Sequence, residues 1–195
     1  MEPVFTKGDL PGVWIYQLHV RCDSRGAFIK TFHFETFRQR GLETNFFEAF
    51  FSTSMKDVIR GMHFQTPPFH CDKIISVYNG SIVDVLLDLR RFEDESIQTY
   101  GKTMAVTLSA QNGKSIYVPA GVAHGFLALE ENTIVGYQQS QMYHPDADTC
   151  LRFDSINFNW PQSAHIVSER DNRGISFEKF NSPFVSWPSP KGLRQ

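Results

Sequence analysis

With 195 residues, and 19 Lys plus Arg against 21 Asp plus Glu for a net charge of −2, the chain is sized for one domain that can bury a substantial core. That balance argues against a nucleic-acid surface or a membrane-binding face, yet leaves room for a local basic pocket that takes one anionic ligand. Cys22, Cys71 and Cys150 are too few and too widely spaced for a disulfide framework or a C-x-x-C zinc pair, and no run approaches a membrane span, so a soluble cytoplasmic protein with free thiols is expected.

Residues 12–20 alternate as a strand, Asp23-Ser24-Arg25-Gly26 makes a turn, and 27–34 reads as a second strand. Residues 35–40 have helix character and stop at Gly41. Short apolar or alternating runs then follow at 46–53, 58–65, 73–79, 81–90, 102–108, 115–118, 125–129 and 133–139, separated by Pro, Gly and Asn turn signals. Asn79-Gly80, lying between two alternating runs, is the strongest hairpin signal. Eighteen phenylalanines suit pleated, half-buried surfaces. The expected fold is all-β: an antiparallel barrel or sandwich with N-terminal strands over about 12–34 and a core over about 45–160. The polar tail 161–195, with Pro183, Pro188 and Pro190, is expected to wrap the barrel with short helices and end loosely.

Chemistry concentrates in 58–65. If this strand is extended, Arg60, Met62 and Phe64 share one face and Gly61, His63 and Gln65 the other, and Gly61 leaves space for a ligand to approach the backbone. His63 taken alone reads first as a hydrogen-bonded core histidine. Downstream, Gly113-x5-Pro119-x-Gly121-x2-His124 has the spacing of the second half of the cupin signature. The first half would supply a His-x-His pair, but Gly61 stands two residues before His63. A stable metal site needs about three protein ligands, so neither a metal nor another cofactor is expected. His63 and His124 are then free for proton transfer or hydrogen bonding.

Arg60-Gly61-Met62-His63-Phe64-Gln65, with Asp23-x-Arg25-Gly26 before it and Pro119-x-Gly121-x-x-His124-Gly125-Phe126 after it, resembles the dTDP-4-dehydrorhamnose 3,5-epimerase family. So do Lys73, Asp84-Val85-x-x-Asp88-Leu89-Arg90, Tyr137, Tyr143 and Ser168-Glu169-Arg170-Asp171. The resemblance implies a cupin-type jelly-roll barrel with short flanking helices, mainly C-terminal. It also implies a homodimer, no metal, and a nucleoside-diphosphate 4-keto-6-deoxy sugar as substrate, as in deoxysugar supply for surface polysaccharides such as the O-antigen. Protons on C3 and C5 flank the ketone and are acidic, so a base, an enolate stabiliser and an acid on the opposite ring face suffice for epimerisation.

The resemblance gives His63 as base, since an imidazole titrates near neutrality. It gives Asp171 as the carboxylate orienting it, Lys73 as the cation near the enolate, and Tyr137 as proton donor. Tyr137 could otherwise be a core aromatic, Lys73 a solvated strand-entry residue and Asp171 part of a charged turn. Substrate contacts fall on Arg25, Arg60 and His124, with Tyr143 stacking on the nucleobase. Arg25 could instead serve only as the turn partner of Asp23.

Several family positions differ here. Lys30 replaces a glutamate, Glu48 and Phe50 replace Gln and Asn, Asp148 replaces a glutamate, and Arg170 replaces a lysine. These changes imply another nucleotide sugar or another epimerisation outcome. Lys30 facing the base edge would suit a CDP-sugar, because cytosine N3 is an acceptor where thymine N3 is a donor; Lys30 could also pair with Glu48 across adjacent strands. Phe50 could restrict ring flipping and so limit inversion to one carbon. A 3,4-ketoisomerase and a non-catalytic nucleotide-sugar binding module remain alternatives.

Overall fold

A computed structural model describes residues 3–161 and 165–188. Among the described residues there are fourteen strands: β1 (Val4–Lys7), β2 (Trp14–Gln17), β3 (His19–Asp23), β4 (Gly26–Lys30), β5 (Glu48–Ser54), β6 (Val58–Gln65) and β7 (Lys73–Asn79) come first. They are followed by β8 (Ser81–Asp88), β9 (Thr103–Ser109), β10 (Lys114–Val118), β11 (Val122–Ala128), β12 (Thr133–Gln139), β13 (Asp148–Cys150) and β14 (Ile166–Val167). The helices among the described residues are few and short: α1 (Phe34–Arg38), α2 (Glu169–Asn172) and two 3-10 turns at Phe153–Ser155 and Phe177–Lys179.

One sheet runs β1-β2-β10-β7-β12-β5 and the other β13-β6-β11-β8-β9, with β14 added in parallel to β6. This is the antiparallel jelly roll of the cupin type. Between β5 and β12 nearly every turn passes the chain from one sheet to the other, and this overturns the hairpin expected at Asn79-Gly80. Gly80 does supply the turn's positive φ of 74°. But β7 is already paired on both edges by β10 and β12, and β8 by β9 and β11. The turn therefore bridges the two layers.

Between the layers lies an apolar core built from Ile75, Leu86, Ile116, Phe126 and Val135, all essentially inaccessible. Along β11 every residue is buried, because its outer face is covered as well. There the C-terminal segment lays Phe158, Trp160, Phe177, Phe180, Phe184 and Trp187 over Met62, Phe64, Leu87 and Ala123. Where it is described, this segment is aromatic on the side that touches the barrel; residues 162–164, Pro190 and the chain's end lie outside the described residues. The Arg90 guanidinium, 1% exposed, bonds both oxygens of Asp88 at 2.7 Å and the Pro11 carbonyl at 2.8 Å, fastening the N-terminal loop to β8.

Two expected boundaries move. The strand expected over 12–20 breaks at Leu18, whose N–H turns to the Gly113 carbonyl. Its second part, β3, leaves the sheet to form a separate exposed hairpin with β4. The strand expected over 27–34 stops at Lys30, and the helix begins at Phe34. Three strands were not anticipated. β1 is a short and mostly exposed terminal strand, and β13 and β14 have three and two residues, too few to display a period.

Candidate active site

β6 carries the site, and the chain around it explains how. Its partner β11 runs antiparallel, with a register shift between His124 and Phe126. Gly61 sits at that shift with φ 127°, and a Cβ there would lie 2.5 Å from the Gly125 Cα. Gly125 is tight as well, since its own Cβ would lie 2.7 Å from the Met62 sulfur and 3.0 Å from the Arg60 carbonyl oxygen. Two glycines thus let the strands touch. The sequence expectation of ligand space at Gly61 is wrong, since the neighbouring backbone fills it. The same irregularity breaks strict alternation, so that Arg60 and His63, expected on opposite faces, line one cavity. Gly61→Ala is expected to lower stability by at least about 2 kcal/mol through overpacking and backbone strain, read by chemical denaturation.

The other edge of β6 is shared. β13 pairs with Gln65, Phe64 and His63, while β14 pairs with Val58 and Ile59. α2 follows β14 directly, with Ser168 as its N-cap, and the helix sets Asp171 beside the middle of β6. Asp171 is 3% exposed. Its Oδ1 lies 2.7 Å from His63 Nε2, and its Oδ2 accepts the Gly61 N–H at 3.3 Å. Burial alone would raise this carboxyl's pKa, but the bonds from His63, Gly61 and Cys150 outweigh it and hold the pKa below its usual value. Asp171 is therefore an ionised acceptor near neutrality, which makes Nε2 the protonated nitrogen of His63 and leaves the Nδ1 lone pair for chemistry. Among the described residues Nδ1 has no hydrogen-bond partner. The Cys150 thiol, 3.6 Å from Asp171 Oδ1, is pushed up to about 12 by burial and by that carboxylate, so it remains a neutral donor.

His63 opens onto a cavity of about 280 Å³ between the two sheets. The facing wall comes from β5, β7 and β12, which present Phe50 and Ser52, Lys73, and Tyr137. Burial pushes the Tyr137 phenol well above its ordinary pKa, with Ser52 and Arg60 opposing and Asp84 reinforcing the rise. The ring is stacked on Phe50, its directly opposed cross-strand partner, at 4.9 Å and 18°, and meets the His124 ring edge-on at 6.0 Å. Lys73 is 8% exposed and its Nζ reaches the His63 carbonyl at 3.4 Å. Arg60 is anchored by Ser54 Oγ and the Thr53 carbonyl, at 3.0 and 2.9 Å. His124 Nε2 lies 2.7 Å from Asp84 Oδ2, forming a second and almost fully buried pair.

At the mouth, Tyr143 is 56% exposed and Arg170 pairs with Asp148 at 2.6 Å; all three line the cavity. Three expected contacts are not brought here within one chain. Glu48 lies just outside the lining and accepts the Tyr143 N–H at 3.0 Å, so it fixes the aromatic without facing the cavity. Arg25 is held by Asp23 across the β3–β4 turn at 2.5 Å and lines a separate surface groove. Lys30 pairs with His19 in that hairpin, and no Lys30–Glu48 ion pair exists among the described residues, because β4 and β5 are not neighbours. Conversely, Ser52 and Gln139 were not anticipated in the lining. Each stands two residues from an anticipated one, Phe50 and Tyr137, on the same strand face, so period-two alternation marks both. Asp84, in register with Phe126, reaches His124 diagonally.

One wall of the cavity thus carries an imidazole bonded to a buried carboxylate, and the facing wall carries a buried phenol, with Arg60 and Lys73 also in the lining. A family sequence profile described as dTDP-4-dehydrorhamnose 3,5-epimerase matches residues 7–179. The dTDP-4-dehydrorhamnose 3,5-epimerase of Methanothermobacter thermautotrophicus is 38% identical over 172 residues, spanning 86% of this chain and 90% of that one. Its Escherichia coli counterpart is 34% identical over 175 residues, spanning 88% and 92%. The solved structure of the Sulfolobus tokodaii dTDP-4-dehydrorhamnose 3,5-epimerase superposes with a TM-score of 0.83 at 33% identity, covering 92% of this chain and 97% of that one.

Proposed function

Because this chain belongs to the dTDP-4-dehydrorhamnose 3,5-epimerase family, we propose that it is a cofactor-independent isomerase. It inverts C3, C5 or both in a nucleoside-diphosphate 4-keto-6-deoxyhexose, with dTDP, carried in the relatives' names, as the nucleotide. The observation that carries the reading is the placement of the His63–Asp171 pair and Tyr137 on opposite walls of one cavity. His63 Nδ1 takes the proton beside the ketone, and Asp171 stabilises the imidazolium that results. Lys73 supports the enolate oxygen, and Tyr137 returns a proton to the opposite face. Arg60, with its fork already oriented by Ser54 and Thr53, serves the diphosphate together with His124. Tyr143 takes the base, steadied by Glu48 and flanked by the Arg170–Asp148 pair.

The protein acts as a homodimer. The β3–β4 hairpin projects with Phe28 64% exposed and with Val20 and Ile29 also open. Arg25 and Lys30 ride on this hairpin, away from their own cavity. A second copy that lays its hairpin over the cavity mouth covers the apolar residues and delivers both cations to a diphosphate. The three free cysteines fit the cytoplasm, where thiols stay reduced. The test is a panel of dTDP- and CDP-linked 4-keto-6-deoxy sugars in deuterium oxide, followed by NMR. Deuterium entering at C3 or C5 with inversion is expected, with the dTDP donors preferred. A carbonyl moved from C4 to C3 would make the chain a ketoisomerase, and binding without exchange a nucleotide-sugar binding module.

A further inference from the structure

Gln139 lines the cavity beside Lys73, and neither the base, its carboxylate nor the phenol makes use of it. We propose that Gln139 is a catalytic residue that donates a hydrogen bond to the enolate oxygen together with Lys73, its amide turned for that task by the buried Cys71 thiol. The inference rests on the epimerase reading above and deepens it.

Strand register brings the two donors together. Tyr137 and Gln139 face the cavity from β12, two residues and roughly 7 Å apart along the strand. β7 sets Lys73 directly opposite Gln139, an arrangement that brings two Cβ atoms within about 5 Å on one face of a sheet. Lys73 leans toward the wall of the base, where its Nζ meets the His63 carbonyl at 3.4 Å. Gln139 stands on the strand that carries the acid.

The amide also has a defined direction. Cys71, 6% exposed, donates its S–H to Gln139 Oε1 at 3.3 Å. Burial raises the Cys71 pKa against the opposing effects of Lys73 and the Gln65 amide, so the thiol keeps its proton near neutrality. Gln65 has no such freedom: its Nε2 donates to the Phe69 and Met142 carbonyls, and its Oε1 accepts the His144 N–H. With Oε1 engaged, Gln139 is left with the two N–H donors of Nε2, which have no hydrogen-bond partner among the described residues. An amide that offers the cavity only donors suits an oxygen that gains negative charge.

When His63 takes the proton beside the ketone, the electron pair of the broken C–H bond enters the enolate and the charge settles on the former ketone oxygen. That oxygen has lone pairs for both donors, the Lys73 ammonium and the Gln139 amide. No oxidant or reductant enters, and the amide transfers no proton. Its contribution therefore follows the charge that builds up in the transition state, and the uncharged ketone feels it weakly.

The experiment compares the wild type with Gln139→Met and Gln139→Glu, by kcat, KM and deuterium entry from deuterium oxide into the dTDP-linked 4-keto-6-deoxy sugar. Gln139→Met keeps the length and removes both donors; Gln139→Glu keeps the shape and sets a negative charge against the enolate. Each is expected to lower kcat by about 10²–10³-fold while KM changes by less than about threefold. Deuterium entry should fall by the same factor, because enolate formation itself is slowed. Cys71→Ala is expected to lower kcat by about fivefold, the worth of one neutral hydrogen bond, and Cys71→Ser to restore it. In the Gln139→Met background Cys71→Ala should cost nothing further, whereas a thiol needed only for packing would cost the same in both backgrounds. A raised KM at unchanged kcat, or wild-type kinetics in Gln139→Met, overturns the inference and leaves the epimerase reading intact. An equal cost of Cys71→Ala in both backgrounds overturns the part given to the thiol. No exchange at C3 or C5 in the wild type overturns the epimerase reading and the inference with it.

Discussion

Replacing His63 with alanine is expected to lower epimerisation by about 10²–10⁴-fold, the usual contribution of a positioned general base. Nucleotide-sugar binding, measured by calorimetry, should change little, because the groups proposed for the diphosphate and the base lie elsewhere in the cavity. Asp171→Asn is the sharper variant. The carboxylate accepts from Nε2 and so keeps Nδ1 unprotonated; an amide can donate as well as accept, and the tautomer is no longer fixed. It also removes the negative charge that stabilises the imidazolium. Asp171→Asn should therefore approach the alanine variant in rate although the imidazole is still present. A substitution costing less than tenfold would show that the pair is structural.

The same carboxylate ties stability to pH in a defined direction. Its pKa is lower in the folded chain than the unfolded value of about 3.9. Its contribution is therefore complete above that unfolded value and is lost as pH falls through the depressed folded one. The difference in unfolding free energy between wild type and Asp171→Asn should shrink below about pH 4. A difference that grew in acid would contradict the ionised assignment.

How much of this could be read from the sequence depended on the range of the interaction. β6, β7 and β12 lie where short apolar runs bounded by turn residues put them, although none of the three alternates strictly in burial. The pairing of strands was not legible. Asn79-Gly80 carries the local signature of a hairpin, yet which strand completes each edge is settled by sheet-wide burial, and the turn joins two layers. Likewise, the positive φ that Gly61 adopts follows from Gly125, 64 positions later, and no local pattern reports that contact. Nine of the thirteen expected site residues line the cavity and Asp171 lies directly behind it, because motif spacing encodes which strand each occupies. Glu48, Arg25 and Lys30 fell outside because their placement depends on a backbone N–H, a local ion pair and a hairpin that leaves the barrel.

Tyr137→Phe separates the two halves of the reaction. Burial keeps the phenol protonated across the working pH range, so its hydroxyl acts only as an acid, and only toward a centre as basic as an enolate carbon. Without it the first half still runs. His63 removes the proton and, being partly exposed, can exchange it with solvent and return deuterium to the face it came from. The expected result is deuterium entering with retention of configuration, while inversion drops by about 10²–10⁴-fold. The fold should hardly respond. The ring keeps its stack on Phe50, and the lost Ser52 contact is long at 3.5 Å, so a stability change within about 1 kcal/mol is expected. Inversion at the wild-type rate would assign the proton to another group on that wall, and Lys73, the buried cation beside the His63 carbonyl, is the group positioned to take it over.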